Sequence, residues 1–240
     1  MTKNICIYHD NCADGFTAAI LIHRYLKGDV TLIPAQYGEP PPNLKSLNTI
    51  DNLFIVDFSY PQEILLAMKA EVKQMVVLDH HKTAEAQLAD LDFANFDQNK
   101  CGAMLTWEFL YGEDTEVQIF IKYIQDRDLW QFKLKDSKEF SAGLRAHPMD
   151  VDTWGTFLEL EKSHEILIEE GRIVLRYQQR IIGQILDAAA HGKMQKALYK
   201  GHLVPIVNTT HLISEIGHAL CQVYPLRSCT STPTTKEFFL

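Results

Sequence analysis

Residues 76–81 read Val-Val-Leu-Asp-His-His, so an apolar run from Met75 to Leu78 stops abruptly at three potential metal ligands. Two other apolar runs end the same way. Ile5-Cys6-Ile7-Tyr8 stops at His9-Asp10 and leads to Ala13-Asp14-Gly15, and Leu53-Phe54-Ile55-Val56 stops at Asp57. Short apolar runs of this kind read as buried parallel strands. In an open parallel sheet the strand C-termini line one edge, and ligands bind in the crevice beyond it. The three runs would therefore deliver carboxylates and imidazoles to one place. Such groups repel and desolvate one another unless cations hold them together. The alternative for Asp57 is a helix N-cap, because Ser59-Tyr60-Pro61 follows it.

A further acid, Asp126, sits in Gln125-Asp126-Arg127-Asp128. Taken in order, His9-Asp10-Asn11-Cys12-Ala13-Asp14-Gly15, Asp57, Asp79-His80-His81 and Asp126 resemble the motifs of the DHH phosphoesterase superfamily over about the first 145 residues. The resemblance implies two divalent ions, which clamp the attacking and leaving oxygens of a phosphoryl displacement and acidify a water. It implies that Asp57 bridges the ions and that Asp79, His80 and Asp126 are ligands. By the same resemblance His81 matches the position that contacts the scissile phosphate or acts as an acid beside it, so His81 and Asp79 are the candidate catalytic pair. The first motif departs from the family's Asp-x-Asp pattern. His9 and Asp14 are taken as ligands, and Cys12 stands where the first acid is usual. Cys12 is either a thiolate ligand or a small buried residue. Asp128 is a ligand, a partner orienting His80 or His81, or a cap.

Three further features bear on substrate. Arg145, in Ser141-Ala142-Gly143-Leu144-Arg145, either grips a phosphate in bidentate fashion or forms an interdomain salt bridge. Asn99-Lys100-Cys101-Gly102-Ala103 precedes a helix and either cradles a phosphate or caps that helix. The family's associated C-terminal domain carries a Gly-Gly-Gly-His-like loop, whereas this sequence has no Gly-Gly pair. The resemblance therefore implies a partial second domain and an incomplete grip on substrate.

These readings predict a hydrolase acting on a phosphodiester in a short oligonucleotide or a nucleotide messenger. Manganese is the favoured ion for a carboxylate and imidazole ligand set, with magnesium, cobalt or zinc as substitutes. The alternatives are a phosphoanhydride hydrolase and a protein that binds metal and nucleotide without turnover.

The 240 residues are 46% hydrophobic and 22% charged, with a net charge of −8. That composition suits a globular chain. The negative balance argues against long duplex nucleic acid as a partner, which would require a broad basic surface. The five cysteines are odd in number and lack a Cys-x-x-Cys spacing, which predicts a reducing, cytoplasmic setting. No secretory leader or membrane-length apolar run is read in the sequence. A small phosphorylated substrate or short oligonucleotide is the expected partner, with a homodimer as one possible assembly.

The positioning elements alternate. Helices are predicted over 16–26, from about 61 to 72, over 102–111 and over 115–125, and strands over 30–33, 53–56, 75–78 and 91–96. Alternation of this kind implies βαβ units and a parallel sheet. A long charged helix is expected over 157–190, then a strand over 203–207 and a helix over 211–223. The expected architecture is α/β: a parallel-sheet domain with flanking helices over 1–150, a helical connector over 151–195, and a small incomplete α/β domain over 196–240. The Ser-, Thr- and Pro-rich segment 227–236 is expected to be poorly ordered, and Phe238-Phe239-Leu240 to pack loosely or mediate association.

Overall fold

The computed structural model describes residues 2–44, 49–199 and 202–223. Strand β1 (Asn4–His9) leads to α1 (Ala13–Tyr25) and β2 (Thr31–Ala35). Then come β3 (Ile50–Val56), α2 (Gln62–Lys69), β4 (Val72–Asp79), α3 (Lys82–Leu88) and β5 (Ala94–Phe96). Helices α4 (Gly102–Tyr111), α5 (Ile119–Asp128), α6 (Ser137–Leu144), α7 (Val151–Glu159) and α8 (Ser163–Ala190) follow. The chain continues through β6 (Lys196–Tyr199), β7 (His202–Pro205) and α9 (Ile213–Val223).

The first five strands form one parallel sheet in the order β2-β1-β3-β4-β5. Successive strand residues point to opposite faces, and both faces are covered. Cys6, Tyr8, Val56 and Leu78 join α1 and α4–α7 in one core. Ile5, Ile7, Leu53, Ile55 and Val77 join α2 and α3 in the other. A sheet buried on both sides requires apolar residues at consecutive positions, which explains the uninterrupted runs in the sequence.

Register sets the site. Tyr8 pairs with Val56, and Val56 with Leu78. The next residue on each strand is His9, Asp57 and Asp79, so these three stand in one row along the C-terminal edge. β1 lies between β2 and β3, so the chain reverses its winding direction there, and His9 and Asp57 flank the resulting switch point.

Several element predictions shift: the helix expected to about 72 ends at Lys69, with Val72 opening β4, and the strand expected over 91–96 begins at Ala94. The helix expected over 115–125 runs instead from Ile119 through Asp128 and carries the whole fourth motif. The helix expected over 157–190 is interrupted after Glu159 and resumes at Ser163. Phe157, Leu158, Leu167 and Ile168 all enter the same core. In one straight helix Leu158 and Leu167, nine residues or two and a half turns apart, would point about 180° from each other, and the break lets both enter one core.

The chain divides into two compact units after Gly171. Within the second, β6 and β7 form an antiparallel hairpin, and Ala189, Val207, Ile216 and Leu220 form a small core. Strand β6 was not anticipated from the sequence. The expectations for 227–236 and 238–240 lie outside the described residues. Among the described residues, no helix is long and apolar enough to cross a membrane.

Candidate metal centre

Asp57 occupies the middle of the cluster. Its backbone adopts φ +52°, a left-handed conformation that Asp enters more readily than most side chains, and its amide donates to the Leu78 carbonyl at 2.8 Å. It does not cap a helix, since α2 begins only at Gln62. The buried carboxylate lies between two imidazoles, with Oδ1 3.1 Å from His80 Nε2 and Oδ2 3.4 Å from His9 Nδ1. The same His80 nitrogen is 3.5 Å from Asp128 Oδ2 and 3.9 Å from Asp14 Oδ2.

Three overlapping groups offer ligand atoms within 4.8 Å of one another: Asp57, Asp79, His80 and His81; His9, Cys12 and Asp57; and Asp14, His80 and Asp128. Asp57 belongs to the first two and His80 to the first and third, so these two side chains stand where the groups overlap.

Backbone elements hold these side chains from behind. The amides of Gly102 and Ala103, at the N-terminus of α4, donate to Asp14 Oδ2 and Oδ1 at 2.5 and 2.8 Å. The positive end of the helix favours that carboxylate. The phosphate-cradle alternative for this segment gives way, because its amides are already engaged by Asp14. Gly15 backs onto His9, where an added Cβ would stand 2.7 Å from the His9 carbonyl oxygen. Asp79, fully buried, accepts from the Ser59 hydroxyl at 2.7 Å. Its other oxygen lies 2.6 Å from His81 Nδ1 and accepts the His80 amide at 2.8 Å. Asp79 thereby fixes the His81 ring and leaves Nε2 as its outward nitrogen.

Protonation states are displaced throughout. Burial, followed by the charges of Asp57 and Asp128, pushes the Asp14 carboxyl well above its ordinary range. Burial and Asp57 push Asp128 up as well. Burial also acts upward on Asp57, but the hydrogen bond with His80 and the proximity of His9 outweigh it and hold Asp57 below the usual carboxylate range. Burial acts downward on His80, yet its bond to Asp57 and the charges of Asp14, Asp57 and Asp128 raise it to about 9. The hydrogen bond to Asp79 raises His81. Burial, then Asp57 and Asp14, keep the Cys12 thiol high.

His9 Nδ1 and Asp57 Oδ2 are buried and have no hydrogen-bond partner. Buried polar atoms are ordinarily satisfied, and these two face each other across a gap that lacks hydrogen-bond geometry. A cation held at this point would remove the deficit and favour the ionised state of the crowded acids. Carboxylate oxygens with imidazole nitrogens are a donor set for divalent cations such as manganese or zinc. The residues present therefore fit a divalent metal.

Of the residues singled out in the sequence, His9, Cys12, Asp14, Asp57, Asp79, His80, His81 and Asp128 converge. Asp126 does not, and its expected role as a ligand is corrected. Its carboxylate accepts the amides of Lys133 at 2.8 Å and Leu134 at 3.2 Å, closing the loop after α5. Both acids lie on one helix, where a two-residue step turns a side chain by about 200°. Only one of them can face the crevice, and that one is Asp128. Arg145 is exposed and lines a pocket of about 50 Å³ beside the centre, with Cys12, Asp14, Arg127, Asp128 and Ser141. Tyr37 escaped sequence reasoning. Its ring centroid lies 5.5 Å from that of His9, 5.9 Å from His81 and 4.6 Å from Phe58. The available signal was position, since Tyr37 follows the C-terminal end of β2 at the same sheet edge.

The sequence profile described as "DHH family, N-terminal domain" matches residues 4–138, which include every member of the cluster. The chain belongs to the DHH family. DHH proteins form a superfamily of divalent-metal-dependent phosphoesterases, acting on phosphate esters or anhydrides. The DHH match covers the entire parallel sheet and the helices through α5. An uncharacterized protein of Acanthamoeba polyphaga mimivirus is 30% identical over 237 residues, 92% of this chain and 55% of that protein. The chain thus spans about half the length of this relative. A solved structure of an uncharacterized protein from Helicobacter pylori aligns with a TM-score of 0.48 at 12% identity, over 93% of this chain and 80% of that one.

Proposed function

We propose that this DHH protein hydrolyses phosphodiester bonds in short oligonucleotides or nucleotide messengers, with two manganese ions as its metals. The observation that carries the reading is the position of Asp57, shared between two ligand groups and holding one buried oxygen without a hydrogen bond. His9, Asp14, Asp57, His80 and Asp128 would hold the metals, with Cys12 beside His9; Asp79, expected as a ligand, has its oxygens engaged by Ser59, the His80 amide and His81, and is assigned a place behind them. Bound divalent cations supply Lewis-acid neutralisation of the phosphoryl oxygens and acidify a water.

The chain's own groups do the rest. Asp79 orients His81 through Nδ1 at 2.6 Å. The raised affinity of His81 for its proton keeps a donor available to the leaving oxygen. Helix α4 anchors Asp14, and Ser59 anchors Asp79. Tyr37 and Phe58 wall one side of the histidine cluster. Arg145, on the wall of the adjoining pocket, offers a cation to a non-scissile phosphate.

The test is release of product from a dinucleotide, from pyrophosphate and from a bis-aryl phosphate, each with manganese and with chelator. Manganese-dependent cleavage of the dinucleotide and the aryl ester is expected. Cleavage of pyrophosphate alone would make the protein a phosphoanhydride hydrolase. Absence of metal-dependent turnover on all three would make it a binding protein.

A further inference from the structure

The loop after α5 exposes its largest aromatic side chain at a conformational cost. Trp130 has φ +55° and Phe132 φ +50°. Bulky residues rarely adopt this left-handed region, and the conformation persists only where its surroundings impose it. Here Asp126 imposes it. Its carbonyl accepts the amides of Gln131 at 2.9 Å and Phe132 at 3.3 Å, while its carboxylate holds those of Lys133 and Leu134. The loop is thus wound around one buried acid. These bonds fix the path of the backbone at Trp130.

The ring is not in a core. Trp130 is 69% exposed, while the chain's other tryptophans, Trp107 and Trp154, are 7% and 0% exposed. The Arg127 guanidinium carbon lies 4.1 Å from the centroid of the Trp130 ring, and Phe132 meets the ring at 5.0 Å in a T-shaped contact. The shelf adjoins the metal centre through two residues. Asp128, between Arg127 and Trp130 in sequence, is 3.5 Å from His80. Arg127 itself lines the small pocket with Asp14 and Asp128.

We infer that Trp130, backed by Arg127, is a stacking shelf for a nucleobase of the substrate. The inference rests on the phosphodiesterase reading for its substrate and on the loop geometry for its site. Every base presents a π-face, so an exposed indole binds bases without regard to sequence. The guanidinium beneath the ring supports such a stack and lines the pocket beside Asp14 and Asp128. A sugar phosphate lacking a base gains nothing from the ring, nor does pyrophosphate. The shelf therefore selects nucleotides from among small phosphorylated compounds.

The test uses the full chain with manganese, adenosine monophosphate and ribose 5-phosphate. With the other two tryptophans buried, quenching of tryptophan emission reports on Trp130. Quenching by adenosine monophosphate and not by ribose 5-phosphate is expected. In Trp130→Gly the affinity for adenosine monophosphate, read for parent and variants alike by calorimetry, should fall roughly ten- to a hundredfold, with Trp130→Tyr restoring most of it. Glycine takes the native backbone angle without strain, so the ring is removed while the loop keeps its path. Equal affinity for the two ligands in the parent protein, or unchanged affinity in the glycine variant, would overturn the shelf. Dinucleotide hydrolysis that ignores Trp130 leaves the phosphodiesterase reading standing and removes the shelf. Base-dependent quenching without hydrolysis supports the shelf and removes the phosphodiesterase reading.

Discussion

Gly102 and Asp57 approach so closely that a Cβ added to the glycine would lie 2.5 Å from the Asp57 Cβ and 3.0 Å from Asp14 Oδ2. The absent side chain is what lets α4 bring its amides onto one acid while its backbone abuts another. Gly102→Ala should therefore displace Asp57 or Asp14 and weaken manganese binding about 10- to 100-fold, the range seen when groups behind a ligand are lost. Gly155→Ala is the control. Its Cβ meets nothing within 4 Å, so calorimetry should show unchanged metal affinity.

Asp126 and Asp128 should separate into different phenotypes. Asp128→Asn removes a carboxylate next to His80, and should reduce manganese content and turnover with little change in melting temperature. Asp126→Asn leaves one acceptor for two amides, and should cost about 1–2 kcal/mol of stability. Metal content and thermal melting measured on both variants decide the assignment. Loss of metal only in the Asp126 variant would restore the original sequence expectation.

His81 should matter more for turnover than for metal. His81→Ala removes the group that Asp79 orients, with an expected loss of roughly 10²- to 10⁴-fold in kcat at near-normal manganese content. Asp57→Ala and His80→Ala should abolish both manganese binding and metal-dependent hydrolysis. Metal analysis alongside rate measurement distinguishes the cases, and equal metal loss in all three variants would remove His81 from its proposed role.

The metal-free protein should lose stability as pH rises. His80 titrates near 9 in the folded chain, above the ordinary value of about 6.5 for an unfolded histidine. Its stabilising contribution is complete below about 6.5 and vanishes as pH climbs through about 9. Asp14 and Asp128, also raised, act with the same sign from the carboxylate range upward. A metal that displaces the His80 proton must bind more tightly with rising pH over that window. Melting curves in chelator from pH 6.5 to 9, and manganese titrations over the same range, check both trends. His80→Gln should flatten them.

Much of this was legible in the primary structure because a doubly covered parallel sheet writes itself as apolar runs. Met75–Leu78 and Leu53–Val56 could be nothing polar and still be buried on two faces, and each ran directly into its acid. The order of the motifs, and the helix over 102–111, followed from the same logic. The sequence could not show which acid of Gln125-Asp126-Arg127-Asp128 faces the histidine and carboxylate cluster, because that depends on the helical phase of α5. Nor could it show that Asn99–Ala103 serves Asp14 rather than a phosphate, since the choice lies in a contact between residues 88 positions apart. Tyr37 and Trp130 carry no motif. One reaches the histidines because β2 ends at the shared edge, and the other is presented outward because Asp126 winds its loop. Local pattern determines which residues can form strands and supply ligands. Long-range packing alone decides which side chains meet, because rotation about a helix and approach across a sheet edge leave no trace in spacing.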